Sequence, residues 1–285
     1  MRIALVCPYA IDDPGGVQVH VLELAARLRG RGHDVVVLAP SRGPSPVAGV
    51  TPVGRPVDVR FNRANAPIDP RPWSWRRLRA VLGEARPDVV HVHEPFAPST
   101  SLWATLASPA PVVATFHSGV PSSVAYDVAA PVLRRVARRI RVRVAVSRAA
   151  ATVAARRIGG RFEIVPNGVD VARFRDARPA DLGPGRKLLF VGRLDARKGF
   201  PVAVAAFERL ARAGGDVRLV VAGDGPDRGA VAALPRTIRD RIAMLGSVPN
   251  ADVPAIDAAC DVYLGASIGG ESFGIVVVEA MAAGL

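Results

Sequence analysis

The chain has 285 residues, 49% of them hydrophobic and only 5% aromatic, and a formal net charge of +13 at pH 7. That length supports two domains with buried cores, and the apolar content suits sheets packed by Val, Leu and Ala. The charge is nearly all arginine, spread along the whole chain and never interleaved with aromatics as in an RNA-binding signature; it argues against nucleic acid and leaves an anionic membrane surface as the charged partner to consider.

Short apolar runs alternate with amphipathic stretches, the pattern of a parallel α/β architecture. Buried strands are expected at residues 3–7, 34–39, 89–92, 112–116, 142–146 and 163–165, with helices at 17–31, 75–85, 124–140 and 148–157. Gly32 stops the first helix, as a C-terminal glycine does. Residues 40–72, rich in Pro, Gly and Arg, read as loop with short irregular strands. A second series follows, with strands at 187–191, 217–222, 242–245 and 262–264 and helices at 201–213, 251–259 and 273–283. The expected organisation is two Rossmann-like domains, residues 1–166 and 185–285, joined by a linker at 167–184.

Polar Asp12 and Asp13 follow the short N-terminal apolar run, so no signal peptide is written there, and no apolar stretch reaches the ~18 residues that span a bilayer. Any membrane contact is expected to be peripheral. Cys7 and Cys260 lie far apart in apolar runs without metal or redox spacing, which predicts buried reduced thiols in a cytoplasmic protein.

The densest chemistry is at residues 269–284, where Gly269, Gly270 and Gly274 precede a helix and Glu271 and Glu279 stand eight positions apart. Glycines allow a tight turn, and the first N–H groups of the helix suit a diphosphate. Carboxylates accept hydrogen bonds from vicinal hydroxyls, so Glu271 for a sugar and Glu279 for a ribose make chemical sense. A glycine turn before an ordinary helix with a solvated Glu is the plain alternative. Upstream, the strand ending at Gly192 is followed by Arg193 and Lys198, and Lys187 and Lys198 are the only lysines in the chain. A planar guanidinium beside a flexible point charge makes a phosphate clamp, although either cation alone reads as a solvated loop residue.

In the first half, Pro14, Gly15, Gly16 and Val17 open the first long helix and turn its N–H groups toward a phosphate or an acceptor hydroxyl, or form a turn with no ligand. His91 and His93 share a strand face, and with Glu94 they imitate a metal site that lacks a third ligand at the right spacing. Trp75, Leu78 and Leu82 fall on one helical face flanked by Arg76, Arg77 and Arg79. Such a helix lies on an anionic bilayer or turns its stripe into the core. Arg134, Arg135, Arg138, Arg139 and Arg141 form a second basic stretch.

With these residues assembled, the chain resembles the retaining GT-B glycosyltransferases of family 4, and among them the bacterial phosphatidyl-myo-inositol mannosyltransferases. The resemblance runs along the whole chain and is carried by residues 1–9, Pro14 with Gly15, Gly16, Val17 and Gln18, His91 with His93, Glu94 and Pro95, Thr115 with Phe116 and His117, residues 166–170, residues 192–199, and the motif from Glu271 to Glu279. It implies an α/β GT-B fold and transfer of a hexose, mannose from GDP-mannose, to a phosphatidylinositol-type lipid or a polyol, without cofactor or bound metal. By the same likeness, Gly16, Arg193, Lys198, Glu271, Ser272, Phe273, Gly274, Ile275 and Glu279 hold the nucleotide sugar. Arg193 and Lys198 stabilise the departing diphosphate, Glu271 and His117 contact the sugar, and Tyr9 and Gln18 meet the acceptor. No residue is marked as a covalent nucleophile.

Two departures qualify this likeness. Relatives acting on phosphatidylinositol carry a lysine shortly after the strand-ending histidine, where this chain has Ser118, Gly119, Val120, Pro121, Ser122 and Ser123. Family members also continue beyond the position of Leu285, so the second domain is expected to be incomplete. Transfer from a UDP- or ADP-sugar to a soluble acceptor, and a silent sugar-nucleotide-binding fragment, are the alternatives.

Overall fold

In the computed structural model, residues 1–13, 15–44, 47–61, 64–118 and 124–285 are described. The chain divides into two units, Met1–Asn167 and Gly168–Leu285.

The first unit contains strands β1 (Arg2–Val6), β2 (Asp34–Ala39), β3 (Val50–Pro52), β4 (Val57–Phe61), β5 (Ala64–Ile68), β6 (Val89–His93), β7 (Val112–Phe116), β8 (Ile140–Ala145) and β9 (Glu163–Ile164). Its helices are α1 (Gly16–Gly30), α2 (Ser74–Ala85), α3 (Thr100–Ala107), α4 (Val124–Ala137) and α5 (Arg148–Ile158). Seven of the strands form one sheet in the order β3-β2-β1-β6-β7-β8-β9, and its pairs are parallel. Strands covered on both faces are read as continuous apolar runs: Ala4, Leu5 and Val6 of β1 are all fully buried, and on one face Ile3, Leu5 and Cys7 pack in a core cluster with Val21 and Ala25 of α1. Gly32 takes the left-handed conformation after α1, φ +82°, as its position predicts.

Residues 40–72 hold more order than their composition suggests, because β3 extends the sheet and β4 pairs with β5 as an antiparallel hairpin. Helix α3, unforeseen, is short, apolar and uncharged, so it offers no amphipathic period to read. In α2 the stripe turns inward: Leu78 and Leu82 are buried with Ser74, while Arg76, Arg77 and Arg79 are exposed. The apolar face considered for a bilayer is therefore core. The exposed aromatic is Trp73, 66% accessible, at the helix entrance.

The second unit comprises α6 (Val171–Arg175), β10 (Arg186–Val191), α7 (Phe200–Arg212), β11 (Val217–Ala222), a 3-10 turn (Pro226–Val231), α8 (Arg236–Arg239), β12 (Ile242–Gly246), α9 (Val253–Ala258), β13 (Val262–Tyr263) and α10 (Ile275–Ala283). Its sheet runs β12-β11-β10-β13, all pairs parallel. Phe190, Leu194, Phe200, Phe207 and Leu219 fill the core on one face. The stretch expected as a linker is partly helical. Phe174 of α6 is buried, and Arg173 donates to Asn250 Oδ1 at 2.7 Å, so α6 is fastened within the unit. Five residues are too few to show a helical period, which is why the sequence hid it. Cys7 is buried as expected, whereas Cys260 is only half-buried, and both are free. No helix among the described residues is long and apolar enough to cross a membrane.

Candidate functional site

In the first unit the carboxyl ends of β6 and β7 bring histidines together, the edge at which open α/β sheets bind ligands. The parallel register sets His93 beside Thr115, and alternation puts His117, two residues on, on the same side as Thr115. His91 Nε2 meets Thr115 Oγ1 at 2.7 Å and His93 Nδ1 meets His117 Nε2 at 2.9 Å. The rings of His91 and His93 stack at 4.5 Å. His20, from α1, stands edge-on to both His93 and His117 at 5.4 and 5.3 Å. Burial lowers all four rings. His91 falls to about 4 and His117 to about 3, with nearby imidazoles adding to the effect, and His93 goes well below its ordinary value. His20 is also lowered by burial. The cluster is therefore neutral near pH 7.

Glu94 departs from its expected place beside the histidines as a mock ligand. Its backbone takes φ +49°, and Oε1 accepts from the His117 N–H at 2.7 Å, with a further backbone bond from Ser118. Burial pushes its carboxyl up to about 7 against the pull of those bonds. The three residues whose nitrogens lie within 4.8 Å of one another are His20, His93 and His117. Local spacing could not show this convergence, because it joins a helix to two strand ends.

Gly16 is the first residue of α1, after extended Gly15. Gln18 is buried, and its amide nitrogen donates to Ala10 O and Asp13 O, each at 3.2 Å. Those two hydrogens, expected to serve an acceptor, here fold the 10–13 loop onto the helix. Tyr9 bridges to Ile68 and keeps its phenol protonated, since burial and then Glu94 push it well above its usual range. Pro14 and the stretch of Gly119, Val120, Pro121, Ser122 and Ser123 that replaces the expected lysine lie outside the described residues.

In the second unit β10 ends at Val191 and the chain turns through Gly192, φ +142°, into the loop bearing Arg193 and Lys198. Asp195, not anticipated, fastens this loop. Its Oδ1 accepts from the Lys198 N–H at 2.8 Å and its Oδ2 lies 3.4 Å from Arg193 Nε. An Asp accepting from the backbone three residues on is a signal the spacing did contain. Gly199 is left-handed, φ +72°, and a Cβ there would sit 1.8 Å from Ala266 O. Only glycine lets the loop lie against the segment after β13.

Lys198 Nζ then reaches Glu271 Oε2 at 2.5 Å, and Ser267 Oγ donates to the same oxygen at 3.3 Å. Burial raises the Glu271 carboxyl, but Lys198, with help from Arg197 and Ser267, outweighs it and holds the group below its ordinary value. Lys198, Glu271, Ser267, Tyr263, Phe190 and Val276 line a cavity of about 60 Å³. Gly274, φ +77°, caps α10, which begins at Ile275 and not at 273 as expected; Ser272, Phe273 and Ile275 are half-buried at this entrance. No acidic residue occupies the first turn of α10, so its positive end is not offset from within the helix.

Glu279 differs from expectation. It is 5% exposed, and its charge acts on Asp257 of α9, itself 1% exposed. Burial and then Glu279 push Asp257 up to about 7, and its Oδ1 has no hydrogen-bond partner among the described residues. The structure thus brings Arg193, Lys198, Glu271 and the α10 entrance together, and holds Glu279 beneath the helix.

Against known proteins, the model for Glycosyltransferase Family 4 matches residues 14–173 and that for Glycosyl transferases group 1 matches residues 175–285. A phosphatidyl-myo-inositol mannosyltransferase of Mycolicibacterium smegmatis is 41% identical over all of this chain and 74% of its own length. The protein of the same name from Mycobacterium leprae is 40% identical, with 77% of its length covered. Among solved structures, Anabaena Alr3699/HepE in complex with UDP-glucose superposes with a TM-score of 0.72 at 19% identity, over 99% of this chain and 78% of that one. WaaG, a glycosyltransferase involved in lipopolysaccharide biosynthesis, gives 0.66 at 20% identity, over 99% and 79%.

Proposed function

The chain belongs to glycosyltransferase family 4, and on that premise we propose that it moves mannose from GDP-mannose to a phosphatidylinositol acceptor with retention of configuration. The observation that carries this reading is whole-chain identity of 36–41% to relatives named phosphatidyl-myo-inositol mannosyltransferase. The geometry of the second unit agrees with it. A donor diphosphate at the α10 entrance draws Lys198 and Arg193 to its oxygens, where preorganised positive charge stabilises the leaving group as the glycosidic bond breaks. Glu271, released from Lys198, accepts hydrogen bonds from the sugar hydroxyls. The acceptor's proton passes to the leaving phosphate on the same face. His117 contacts the sugar as a neutral imidazole, and Glu279 reaches the ribose only if α10 shifts from its present packing.

The acceptor is presented by a membrane held peripherally at the cytoplasmic face. The exposed arginines of α2, with Trp73 at its entrance, supply the attraction. On α4, Val128 and Val132 are exposed on a helix that also exposes Arg134 and Arg135, a second amphipathic surface.

The test supplies labelled GDP-mannose or UDP-glucose to the protein with phosphatidylinositol vesicles or with soluble polyols. Labelled lipid from GDP-mannose alone is expected. Label reaching only soluble products from UDP-glucose would replace this reading with the soluble-acceptor one. Nucleotide binding without any transfer would leave a sugar-nucleotide-binding protein.

A further inference from the structure

We propose that His93, which ends β6, and Glu94 beside it are positioning residues for His117: the first fixes which ring nitrogen of His117 carries the proton, and the second anchors its backbone. The bearing on transfer rests on the mannosyltransferase reading, in which His117 meets the sugar.

The two imidazoles meet in the geometry of a hydrogen bond. His93 Nδ1 lies 2.9 Å from His117 Nε2. The ring planes are 27° apart and the centroids 5.2 Å, a separation that this contact and the two ring radii fill along one line, so nitrogen faces nitrogen edge to edge. Burial keeps both rings neutral at pH 7. Two neutral imidazoles share such a bond only if one supplies an N–H and the other a lone pair.

His93 decides which. It is fully buried, and its Nε2 has no hydrogen-bond partner among the described residues. If His117 donated, the single proton of His93 would sit on Nε2 as a buried N–H with nothing to bond. If His93 donates, Nε2 keeps only a bare lone pair. Orphaned buried N–H groups are rarer than under-satisfied acceptors, so His93 Nδ1–H donates and His117 is held with its own proton on Nδ1. The nitrogen left to meet a sugar is therefore a donor: it offers a hydrogen bond to a hydroxyl oxygen and accepts none.

Glu94 acts on the same residue through the main chain. Its N–H continues the ladder to Thr115 O at 2.8 Å, and its backbone then takes φ +49°, uncommon for a residue with a side chain. A glycine would suit that turn better, but it has no carboxylate to bring back to the His117 N–H at 2.7 Å and to the Ser118 N–H. Such local strain persists where neighbouring bonds over-determine it, and Ser101 Oγ of α3 adds one by donating to His93 O at 2.6 Å.

NMR on the full chain labelled with ¹⁵N-histidine tests this, since the couplings of each ring nitrogen to the carbon-bound ring protons report the tautomer; the His117 signals are those lost in His117→Gln. A proton on His117 Nδ1 is expected. His93→Leu should release it to Nε2, the tautomer that water favours, whereas His93→Asn, whose amide nitrogen is also bonded to Cγ, should keep it on Nδ1. The His117 amide should exchange with solvent about 10-fold faster in Glu94→Leu, and near the parental rate in Glu94→Gln, which keeps an acceptor oxygen. In transfer from GDP-mannose, His93→Leu should lower kcat/KM about 10-fold, the worth of one hydrogen bond. It should cost nothing further in a His117→Gln background, a non-additivity that lost packing alone does not give. A parental proton on His117 Nε2, or full additivity of the two changes, overturns the proposal. Thermal melts establish folding, and the parental spectrum decides if His93→Leu unfolds. Because the spectrum needs no substrate, absence of transfer would sink the mannosyltransferase reading while the tautomer is still decided.

Discussion

Each unit gathers polar groups at the carboxyl ends of its sheet, but from opposite materials. The first uses buried imidazoles that stay neutral and bond to one another or to a threonine. The second uses a half-exposed ammonium, guanidinium and carboxylates, packed by glycines that let backbones touch. A neutral, water-poor wall offers shape and directional bonds, whereas a charged one offers the field that stabilises a departing anion. Changes to the second unit's end should therefore act on turnover, and changes to the first unit's end on stability and fit.

The strongest test of that contrast is Lys198→Ala, with Arg193→Ala beside it. Each should lower kcat about 10²-fold to 10³-fold, the range for losing a preorganised charge donor. Values within a few-fold of the parent would remove both residues from the reaction. Next in size is Gly199→Ala. The added methyl meets the Ala266 carbonyl and an unfavourable φ together, so a loss of about 3 kcal/mol in denaturant stability is expected. An unchanged midpoint would show that the loop yields easily.

The third test separates the units by pH. His91, His93, His117 and His20 have folded values below the unfolded one near 6.5, so the unfolded chain binds more protons as acid is added. The first unit should lose stability as pH falls from 6.5 toward 4. Glu94, raised to about 7, works in the other direction, but one group opposes four. Asp257 is also raised to about 7, so the second unit gains from it at low pH and loses that gain as pH rises from about 4 through 7. The two changes should carry opposite signs. Trp73, Trp75 and Trp103 all lie in the first unit and report it by fluorescence, while hydrogen exchange in β10 and β11 reports the second. Parallel pH slopes, or an unaltered slope in Asp257→Asn, would erase the distinction.

The smallest effect concerns the outer surface of the first unit. Reversing Arg76 and Arg77 to Glu should weaken binding to anionic vesicles by about 1 kcal/mol per arginine, and salt should screen the attraction over about 8 Å at physiological ionic strength. Equal partitioning into neutral vesicles would make the exposed arginines ordinary solvated charge.

Legibility from sequence followed the range of the interactions. Strands such as β2, β7 and β11 were read to the residue, because a buried strand is a short apolar run with clear ends. The Lys198 loop and the Glu271 turn were visible because glycines and charges cluster locally. What escaped was short or long-range. Helices α3 and α6 lack a period, and the link of His20 to His93 and His117 spans much of the first unit. Glu279 shows the same limit from the other side. Its position on α10 was evident, but its burial and its electrostatic coupling to Asp257 of α9 arise only in packing, and no spacing within α10 records them.

The scarcity of lysine gives the second unit a built-in reporter. Lys187 is buried with Nζ held by Gly185 O at 2.9 Å, so apart from the terminal amine, the partly accessible Lys198 is the other site open to amine-reactive reagents. Limited acylation of the native chain followed by peptide mapping thus reads the state of one ion pair without any mutation. A ligand that draws Lys198 from Glu271 onto itself will shield the amine, and one that leaves it exposed will speed its modification, so a single adduct mass serves as a footprint of occupancy.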